Sequence, residues 1–178
     1  MTEYAIIVAC TENGGIGKDG KIPWKISEDM KYFQTITTAV SDNKRINVVI
    51  MGRKTWESLP NGPLTGRINI VISNTLKNEQ VNGALVMKSL SEAHARLKEN
   101  QFVGTIFVIG GEKLYNEAIK DYHYTKIYLT NIYKNYDCDT YVNLQNISIR
   151  YSLSKIGPKL ISEKTQERFS FDVYDQLS

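Results

Sequence analysis

The chain alternates between short apolar runs and longer stretches in which apolar residues recur with helical spacing. The apolar runs are strand-sized and fall near residues 4–10, 47–51, 68–72 and 105–109. The helical patterns fall near residues 27–40, 90–99 and 112–119. Strands that are apolar at successive positions are typical of a parallel sheet covered by helices on both faces. The first two thirds of the chain therefore predict an α/β fold.

The last third of the chain has a different pattern. Residues near 126–133, 151–156 and 167–174 are alternating or rich in β-forming residues, and no helix is predicted between them. This pattern predicts antiparallel strands added at one edge of the sheet. No repeat, low-complexity tract or linker interrupts the chain, so we expect a single domain over residues 1–178.

Two helix starts carry capping signals. Ser89 is followed three residues later by Glu92, which is the spacing of a capping box. Ser27 is placed to cap the helix that carries Glu28 and Asp29 in its first turn.

The composition is that of an ordinary globular domain. The 178 residues are 42% hydrophobic and 23% charged, which argues against a disordered, collagen-like or disulfide-stapled chain. A net charge of +3 does not indicate a nucleic-acid partner. The apolar runs are far shorter than the roughly 18 residues of a membrane-spanning helix. No secretory leader is recognisable, so we expect a cytoplasmic protein with no membrane partner.

The cysteines and histidines are few and widely spaced. Cys10 lies in a strand pattern and Cys138 in a polar stretch, which predicts two free thiols. His94 and His123 are isolated from each other and from either cysteine in the sequence. We therefore expect no zinc site.

Asp29 is the most informative titratable residue. At 3.6 residues per turn it shares a helix face with Phe33 and Ile36, and Met30 and Thr37 flank that face. One interpretation is an acid stabilised by the helix N-terminus. The other is a buried carboxylate, which needs a hydrogen-bond donor because an unpaired buried charge is costly. No basic residue in the same turn is placed to be that donor, and a ligand with an amidine-like edge would suit it.

Two glycine-containing junctions between a strand and a helix are candidate phosphate sites. The first runs through Gly52 into a helix start with Arg53 and Lys54, where free N–H groups attract anions. A solvated basic turn has the same pattern. The second carries Gly110-Gly111, which is less than the full dinucleotide fingerprint and is also typical of a plain turn. Two such helix starts in one domain favour a dinucleotide over a mononucleotide.

The segment 13–24 contains four glycines and joins the first strand to the first helix. It is either a flexible surface loop or a loop that closes over a site, with Ile22 and Trp24 excluding water. The tryptophan favours the second interpretation, because a large aromatic side chain normally buries most of its area.

Together these segments resemble dihydrofolate reductase, in the same order and across nearly all 178 residues. The matching residues are Ile16-Gly17, Ile22-Pro23-Trp24, Asp29, Phe33, Met51-Gly52-Arg53-Lys54-Thr55-Trp56-Glu57-Ser58, Gly66-Arg67, Ile109-Gly110-Gly111, Tyr115 and Asp139-Thr140. No single segment would suffice, whereas the joint match is specific.

The resemblance implies a three-layer α/β fold. In it, helices cover both faces of an eight-stranded, mostly parallel sheet that has an antiparallel C-terminal strand. It also implies NADPH-dependent reduction of 7,8-dihydrofolate to 5,6,7,8-tetrahydrofolate, with hydride transfer to pterin C6 and protonation at N5. The implied ligands are NADPH, dihydrofolate and antifolate small molecules. We expect a monomeric, cytoplasmic oxidoreductase of one-carbon metabolism.

The resemblance also assigns roles to residues. Asp29 matches the acid that would hold the pterin 2-amino and N3 groups, and Trp24 and Thr130 match positions that help to place a water beside it. The substrate pocket would be lined by Met30, Phe33, Thr55, Ser58 and Leu59, with Arg67 binding the glutamate α-carboxylate. The implied cofactor-binding residues are Ala9, Ile16, Gly17, Ile22, Gly52, Arg53, Lys54, Thr55, Ser73, Asn74, Thr75, Lys88, Ile109, Gly110, Gly111, Glu112, Lys113, Leu114 and Tyr115.

The chain departs from the family pattern in two places. Asn74 follows Ser73 where many relatives have arginine, so one cation near the adenosine 2′-phosphate is missing. Lys88 and Arg53 are expected to supply charge there, and we expect NADPH rather than NADH. The segment after Asp139-Thr140 lacks the proline commonly found there, which leaves the loop conformation open.

Two alternative functions remain open. A pyrimidine reductase of the riboflavin pathway has the same fold and shares the cofactor half, but the spacing of Trp24 and Asp29 and the presence of Arg67 argue against it. A non-catalytic nucleotide-binding or RNA-binding module should have a broad basic surface with stacking aromatics. The scattered charges of this chain offer little of that surface.

Overall fold

The structure, a computed structural model, describes residues 1–178 as eleven β-strands and five α-helices. The strands are β1 (Glu3–Thr11), β2 (Gly15–Gly17), β3 (Ile46–Gly52), β4 (Ile68–Ile72), β5 (Leu85–Met87), β6 (Val103–Val108), β7 (Lys126–Ile132), β8 (Thr140–Tyr141), β9 (Tyr151–Lys155), β10 (Leu160–Ile161) and β11 (Arg168–Gln176). The helices are α1 (Ser27–Thr38), α2 (Arg53–Ser58), α3 (Leu90–Leu97), α4 (Glu112–Lys120) and α5 (Leu144–Arg150). Each helix and strand predicted from the sequence is present, with ends that differ by a few residues.

Eight strands form a continuous sheet in the order β10-β11-β7-β1-β6-β3-β4-β5, and β9 pairs with β11 beside that path. Every neighbouring pair from β7 to β5 is parallel. Strand β11 runs antiparallel to β7, β9 and β10. The expectation of a mostly parallel sheet with an antiparallel C-terminal strand is confirmed. The assignment of residues 126–133 to the antiparallel part is wrong, because α4 carries the chain over β1 and brings β7 alongside it in parallel.

Helices cover both faces of the sheet. Successive residues of β1 point to opposite faces, so Ile6 and Val8 join a core of 24 buried residues that includes side chains of α3, α4 and α5. Ala5 and Ile7 join a smaller core of six buried residues, against which side chains of α1 and α2 pack. The chain therefore has the three layers that were expected. None of the helices combines the length and the apolar character needed to cross a bilayer.

Helix α5 was not predicted, and the expectation of a helix-free last third is wrong. Its N-cap is Asn143, whose side-chain oxygen accepts a hydrogen bond from the Asn146 N–H at 3.0 Å. Only Ile147 of this helix is buried. Leu144 also packs on the core, but two packed apolar positions in seven residues are too few for hydrophobic periodicity to identify a helix.

The two predicted helix caps differ in outcome. Ser89 caps α3, because its hydroxyl accepts a hydrogen bond from the Glu92 N–H at 3.0 Å. The Glu92 carboxylate accepts a hydrogen bond from the N–H of Lys88 at 2.7 Å rather than from that of Ser89. The prediction for Ser27 is wrong: Ile26 occupies the N-cap of α1, and Ser27 lies within the helix with its hydroxyl on Glu28 at 3.1 Å.

Cys10 and Cys138 are both buried free thiols, as expected. The histidines differ from expectation. His94 and His123 are distant in sequence, but their ring centroids lie 5.1 Å apart. The chain crossover described above produces this proximity, because it returns the segment after α4 to the end of α3.

Candidate active site

Asp29 lies in the first turn of α1 beside the carboxyl end of β7. Its Oδ1 accepts a hydrogen bond from the Thr130 hydroxyl at 2.6 Å. Thr130 is buried on β7, where it pairs with Ala9 of β1. The apolar side chains Phe33 and Ile36 pack on the sheet from the same helix. The helix therefore holds the half-buried carboxylate against the sheet, which is closer to the interpretation of a buried acid than to that of a solvated one.

The electrostatic environment of Asp29 disfavours its charge. Burial raises the pKa of the Asp29 carboxyl, and the hydrogen bond from Thr130 lowers that pKa by a smaller amount. None of the ion pairs of the chain involves Asp29. A carboxylate with one hydroxyl partner and no cation retains lone pairs for a ligand that donates hydrogen bonds.

Trp24 is 7% exposed and packs in a cluster with Ile26, Ile132 and Phe169. The ring of Tyr136 lies 5.7 Å from the Trp24 ring. Trp24 makes no hydrogen bond to Asp29, so a joint role in placing a water stays a prediction. The burial of Trp24 anchors the end of the segment 13–24 to the sheet.

The segment 13–24 is a structured hairpin rather than a plain flexible loop. Strand β2 pairs with β8, and the Gly17 carbonyl accepts a hydrogen bond from the Asp139 N–H at 2.9 Å. A Cβ on Gly15 would lie 2.6 Å from the Cys138 Sγ and 2.9 Å from the Thr11 hydroxyl, so only glycine fits there. Ile22 is 65% exposed. This support from Thr11 and Cys138 was not predicted, because it depends on β8, which has only two residues.

The two glycine junctions adjoin each other at the carboxyl ends of β3 and β6. The N–H of Gly52 donates to the Gly110 carbonyl at 2.9 Å. A Cβ on Gly52 would be 3.9 Å from the Gly110 oxygen, and a Cβ on Gly111 would be 3.6 Å from the Thr55 hydroxyl. The two strand-to-helix turns therefore lie next to each other, and their glycines leave the backbone uncovered by side chains. This end of the strands is where open α/β sheets bind ligands.

Tyr115 packs against the second junction. Its hydroxyl lies 2.9 Å from the Ile7 carbonyl and 2.7 Å from the Ile109 carbonyl. Burial raises the pKa of Tyr115, so the phenol stays protonated and can donate to these oxygens. Gly110 has φ +129°, and a Cβ there would lie 3.3 Å from the Tyr115 ring. This corner therefore requires glycine.

The basic residue Arg53 connects the first junction to the turn after β4. Its guanidinium pairs with Glu57 at 2.7 Å and donates to the Thr75 hydroxyl at 3.1 Å. The Ser73 hydroxyl accepts hydrogen bonds within that turn. Lys88 follows β5, which lies beside β4, and the Ser73 N–H donates to the adjacent Met87 carbonyl at 2.9 Å. The structure thus brings the expected 2′-phosphate residues to one edge of the sheet.

Arg67 lies beside α1 and is held in one orientation. Its Nη1 donates to the Thr37 hydroxyl at 2.9 Å and its Nε to the Thr65 carbonyl at 3.0 Å. Its guanidinium carbon lies 5.9 Å from the centroid of the Phe33 ring. Burial lowers the pKa of Arg67. The supporting role of Thr65 was not predicted, since it acts through a backbone carbonyl that any residue would supply.

The other residues predicted to line the substrate pocket or to bind cofactor differ in how deeply they are buried. Leu59 packs on the smaller core with Phe33, whereas Met30 is 68% exposed. The Ser58 hydroxyl donates to the Thr55 carbonyl at 2.7 Å. Several residues predicted to bind cofactor are exposed: Ile22, Lys54, Asn74, Glu112 and Lys113. Ile16 packs against the larger core, and Gly17 is buried in β2.

Leu114 is predicted to bind cofactor, and because its side chain packs in the core, its backbone is the part left for that role. It is 5% exposed and belongs to the core of 24 residues. Glu112 is also turned away from the junction, because its carboxylate accepts a hydrogen bond from the Tyr141 N–H at 2.5 Å. The Leu114 side chain therefore packs α4 on the core, and the Glu112 side chain connects α4 to β8.

Comparison with known proteins agrees with this geometry. The family model described as Dihydrofolate reductase matches residues 3–176. The chain is 46% identical to Dihydrofolate reductase of Schistosoma mansoni, over 76% of this chain and 75% of that protein. It is 36% identical to Dihydrofolate reductase of Rattus norvegicus, over 96% and 95%. It is 39% identical to Bifunctional dihydrofolate reductase-thymidylate synthase of Daucus carota, over 82% of this chain and 29% of that protein. The chain belongs to the dihydrofolate reductase family.

Proposed function

We propose that this chain reduces 7,8-dihydrofolate to 5,6,7,8-tetrahydrofolate, using NADPH as the hydride donor. One observation carries the proposal: a carboxylate held against the sheet by Thr130, without a cation, at the same end of the parallel strands as the two adjoining glycine junctions. A pterin presents two neighbouring N–H donors on one edge, which suits an acid that lacks any other strong partner. Family membership supports the same reaction.

The residues around the junctions fit a dinucleotide. Gly52 and Gly111 offer backbone with no side chain between it and a ligand, and a Cβ on either would meet only ordinary contacts. Arg53 and Lys88 supply cations beside the Ser73 turn. NADPH, when bound, supplies the hydride for pterin C6. We assign its binding to these groups and to Ala9, Ile16, Gly17, Ile22, Lys54, Thr55, Asn74, Thr75, Ile109, Gly110, Lys113 and Tyr115.

Asp29 would hold the pterin through its 2-amino and N3 groups. Its charge would favour the cation formed when N5 is protonated, because the site has low polarity and no competing cation. Phe33 and Leu59 supply an apolar wall, and we assign Met30, Thr55 and Ser58 to the same pocket. The Arg67 guanidinium, fixed by Thr37 and Thr65, would bind the α-carboxylate of the glutamate tail.

Three further statements belong to this proposal. The chain acts as one domain over residues 1–178, which a single sheet with cores on both faces supports. It acts as a monomer. It works in the cytoplasm, which two free buried thiols support, because reducing compartments preserve thiols.

The deciding experiment mixes the protein with NADPH and dihydrofolate and follows the near-ultraviolet absorbance of NADPH. We expect bleaching by the parent. Asp29→Asn should lower turnover by about 100-fold or more, most strongly near neutral pH, where protonation of the substrate is limiting. Glu99→Gln, which removes an exposed acid, serves as the control with unchanged turnover.

Asp29→Asn should also raise the melting temperature of the ligand-free protein at pH 7. The folded-state pKa of Asp29 is raised, so its ionisation destabilises the fold as pH rises above the unfolded-state value. Each 1 kcal/mol gained corresponds to about 2–4 °C for a domain of this size.

Equal turnover by Asp29→Asn and the parent would remove Asp29 from its assigned role. Reduction of a pyrimidine substrate but not of dihydrofolate would favour the riboflavin-pathway alternative.

A further inference from the structure

A second group of ligand-type side chains lies at the other end of the sheet. His94 is on α3, and Asp121 and His123 follow α4. The two histidines pack on Tyr4 at the start of β1, with ring centroids 4.9 and 5.7 Å from the Tyr4 ring. Tyr4 precedes Ala9 by five residues, which is about 16 Å along the strand. This cluster is therefore separate from the site around Asp29.

The ligand atoms of the cluster converge. One nitrogen from each histidine and one carboxylate oxygen of Asp121 lie within 4.8 Å of one another. His123 Nδ1 is 2.6 Å from Asp121 Oδ1, and His94 Nδ1 is 3.8 Å from Asp121 Oδ2. Asp121 Oδ1 also accepts a hydrogen bond from the His123 N–H at 3.0 Å. The backbone therefore fixes the carboxylate, and its second oxygen faces His94.

The Nε2 atom of His94 lies beside a hydroxyl that can accept its N–H when Nδ1 binds a metal ion. His94 Nε2 lies 2.8 Å from the Tyr124 hydroxyl in a buried contact. Histidines that bind metals usually donate their other ring N–H to such an acceptor, which fixes the ring orientation. With Nε2 engaged by Tyr124, Nδ1 is the nitrogen that faces Asp121 and His123. At 3.8 Å it is too far from Asp121 for a direct hydrogen bond.

The two histidines of the cluster differ in exposure. His94 is 8% exposed, so its ring is held within the fold. The His123 side chain is 42% exposed, so the cluster opens to solvent on one side.

We propose that His94, Asp121 and His123 bind one zinc ion, through His94 Nδ1, His123 Nδ1 and an Asp121 oxygen, with water as the fourth ligand. Two imidazoles and a carboxylate form a donor set that zinc accepts in tetrahedral geometry. Ligands about 2.0 Å from a tetrahedral ion lie about 3.3 Å apart. The observed spacings are 2.6 Å from His123 Nδ1 to Asp121 Oδ1 and 3.8 Å from His94 Nδ1 to Asp121 Oδ2, and all the ligand atoms lie within 4.8 Å of one another. Rotation of the exposed His123 ring and of the carboxylate would bring one oxygen and both nitrogens to the tetrahedral spacing.

The role of this ion is structural. It joins the last turn of α3 to the connection between α4 and β7, two segments that otherwise meet through the Tyr4, His94 and Tyr124 side chains. An ion that binds only the folded chain raises its stability in proportion to the logarithm of ion concentration. It touches no residue of the proposed catalytic site.

The test is calorimetric titration of chelator-treated protein with zinc chloride, in parallel with magnesium chloride. We expect one equivalent of zinc to bind, no saturable binding of magnesium, and a higher melting temperature with zinc. His123→Gln, at the exposed ligand, should abolish saturable binding while leaving the protein folded. Glu117→Gln, which removes an exposed acid from α4, is the matched control and should bind zinc as the parent does.

Two further measurements separate this site from other zinc ligands. Tyr124→Phe should weaken zinc binding about 10- to 100-fold, as loss of an outer partner of a metal ligand does. Cobalt(II) should give the visible absorption of a tetrahedral nitrogen and oxygen site, without the thiolate band that Cys10 or Cys138 would produce. The proposal is overturned if the parent shows no saturable zinc binding. It is also overturned if His123→Gln binds zinc as the parent does.

Discussion

At the scale of single residues, the proposed active site is built at a cost to stability. Asp29 is held where burial opposes its charge, and its only protein partner is the Thr130 hydroxyl. A stability-optimised domain would place a neutral side chain there. The unmet hydrogen-bonding capacity is what allows the site to select a ligand with neighbouring N–H groups. Arg67 shows the same principle, because two protein contacts orient it and leave part of its guanidinium free.

Thr130→Val tests the contact between β7 and the acid. The hydroxyl lowers the pKa of Asp29, so its loss should raise that pKa further. The acid limb of the pH–rate profile should move to higher pH. The variant should lose about 1.5–3 kcal/mol of stability at pH 7, as for a hydrogen bond to a charged group. This loss should shrink as pH falls through the raised pKa of Asp29, because the bond favours the ionised form. Titration of labelled Asp29 by NMR measures the pKa, and an unchanged or lowered value would contradict the expectation.

Arg67→Leu tests the proposed carboxylate contact. Loss of a hydrogen-bonded charge pair costs about 2–5 kcal/mol, and the partial exposure of Arg67 places the expected loss of dihydrofolate affinity near the lower limit. Arg67→Lys should lose less, since it keeps the charge but not the planar fork. The dissociation constant for NADPH, measured by fluorescence titration, should be unchanged in both variants. Unaltered dihydrofolate affinity in Arg67→Leu would assign the tail to another residue.

At the scale of elements, strand ends and helix starts create the site. The carboxyl ends of β3 and β6 turn into α2 and α4 at glycines that adjoin each other. The short pairing of β2 with β8 holds the hairpin 13–24 at the same end of the sheet. Local signals predicted the two glycine junctions, because a buried strand followed by glycine is visible in the sequence. The partner of β2 was not predicted, since two residues carry no periodicity.

Helix capping gives a matched pair of variants at this scale. Ser89→Ala should destabilise the protein by about 1 kcal/mol, because it removes the acceptor for an N–H at the start of α3. Ser27→Ala should have a much smaller effect, since its exposed hydroxyl contacts only the Glu28 side chain. Urea unfolding measures both. Equal destabilisation by the two substitutions would mean that the cap contributes nothing specific to α3.

At the scale of the whole molecule, the parallel sheet separates two functional ends. The carboxyl ends of its strands carry the proposed active site, whereas the start of β1 carries the histidine cluster. The edge strands of the sheet are short, with three residues in β5, two in β10 and five in β9. Short edge strands offer little backbone for pairing with another chain, which supports a monomer.

Sedimentation equilibrium tests that statement. We expect one species at the chain mass of 20.3 kDa, independent of protein concentration in the micromolar range. Adding NADPH should leave the mass unchanged, because the proposed site uses residues of one chain. A concentration-dependent shift toward twice that mass would contradict the monomer.

The sequence by itself determined the α/β class, the helix that carries Asp29 and the two glycine junctions. These depend on local periodicity and on residues whose backbone preferences are strong. It also carried enough joint motifs to indicate the family. Only the tertiary structure decided which distant residues meet. Thr130 reaches Asp29 across 101 residues, and the crossover through α4 brings His123 to His94. Such contacts follow from strand order and helix packing, which neighbouring residues along the chain do not encode.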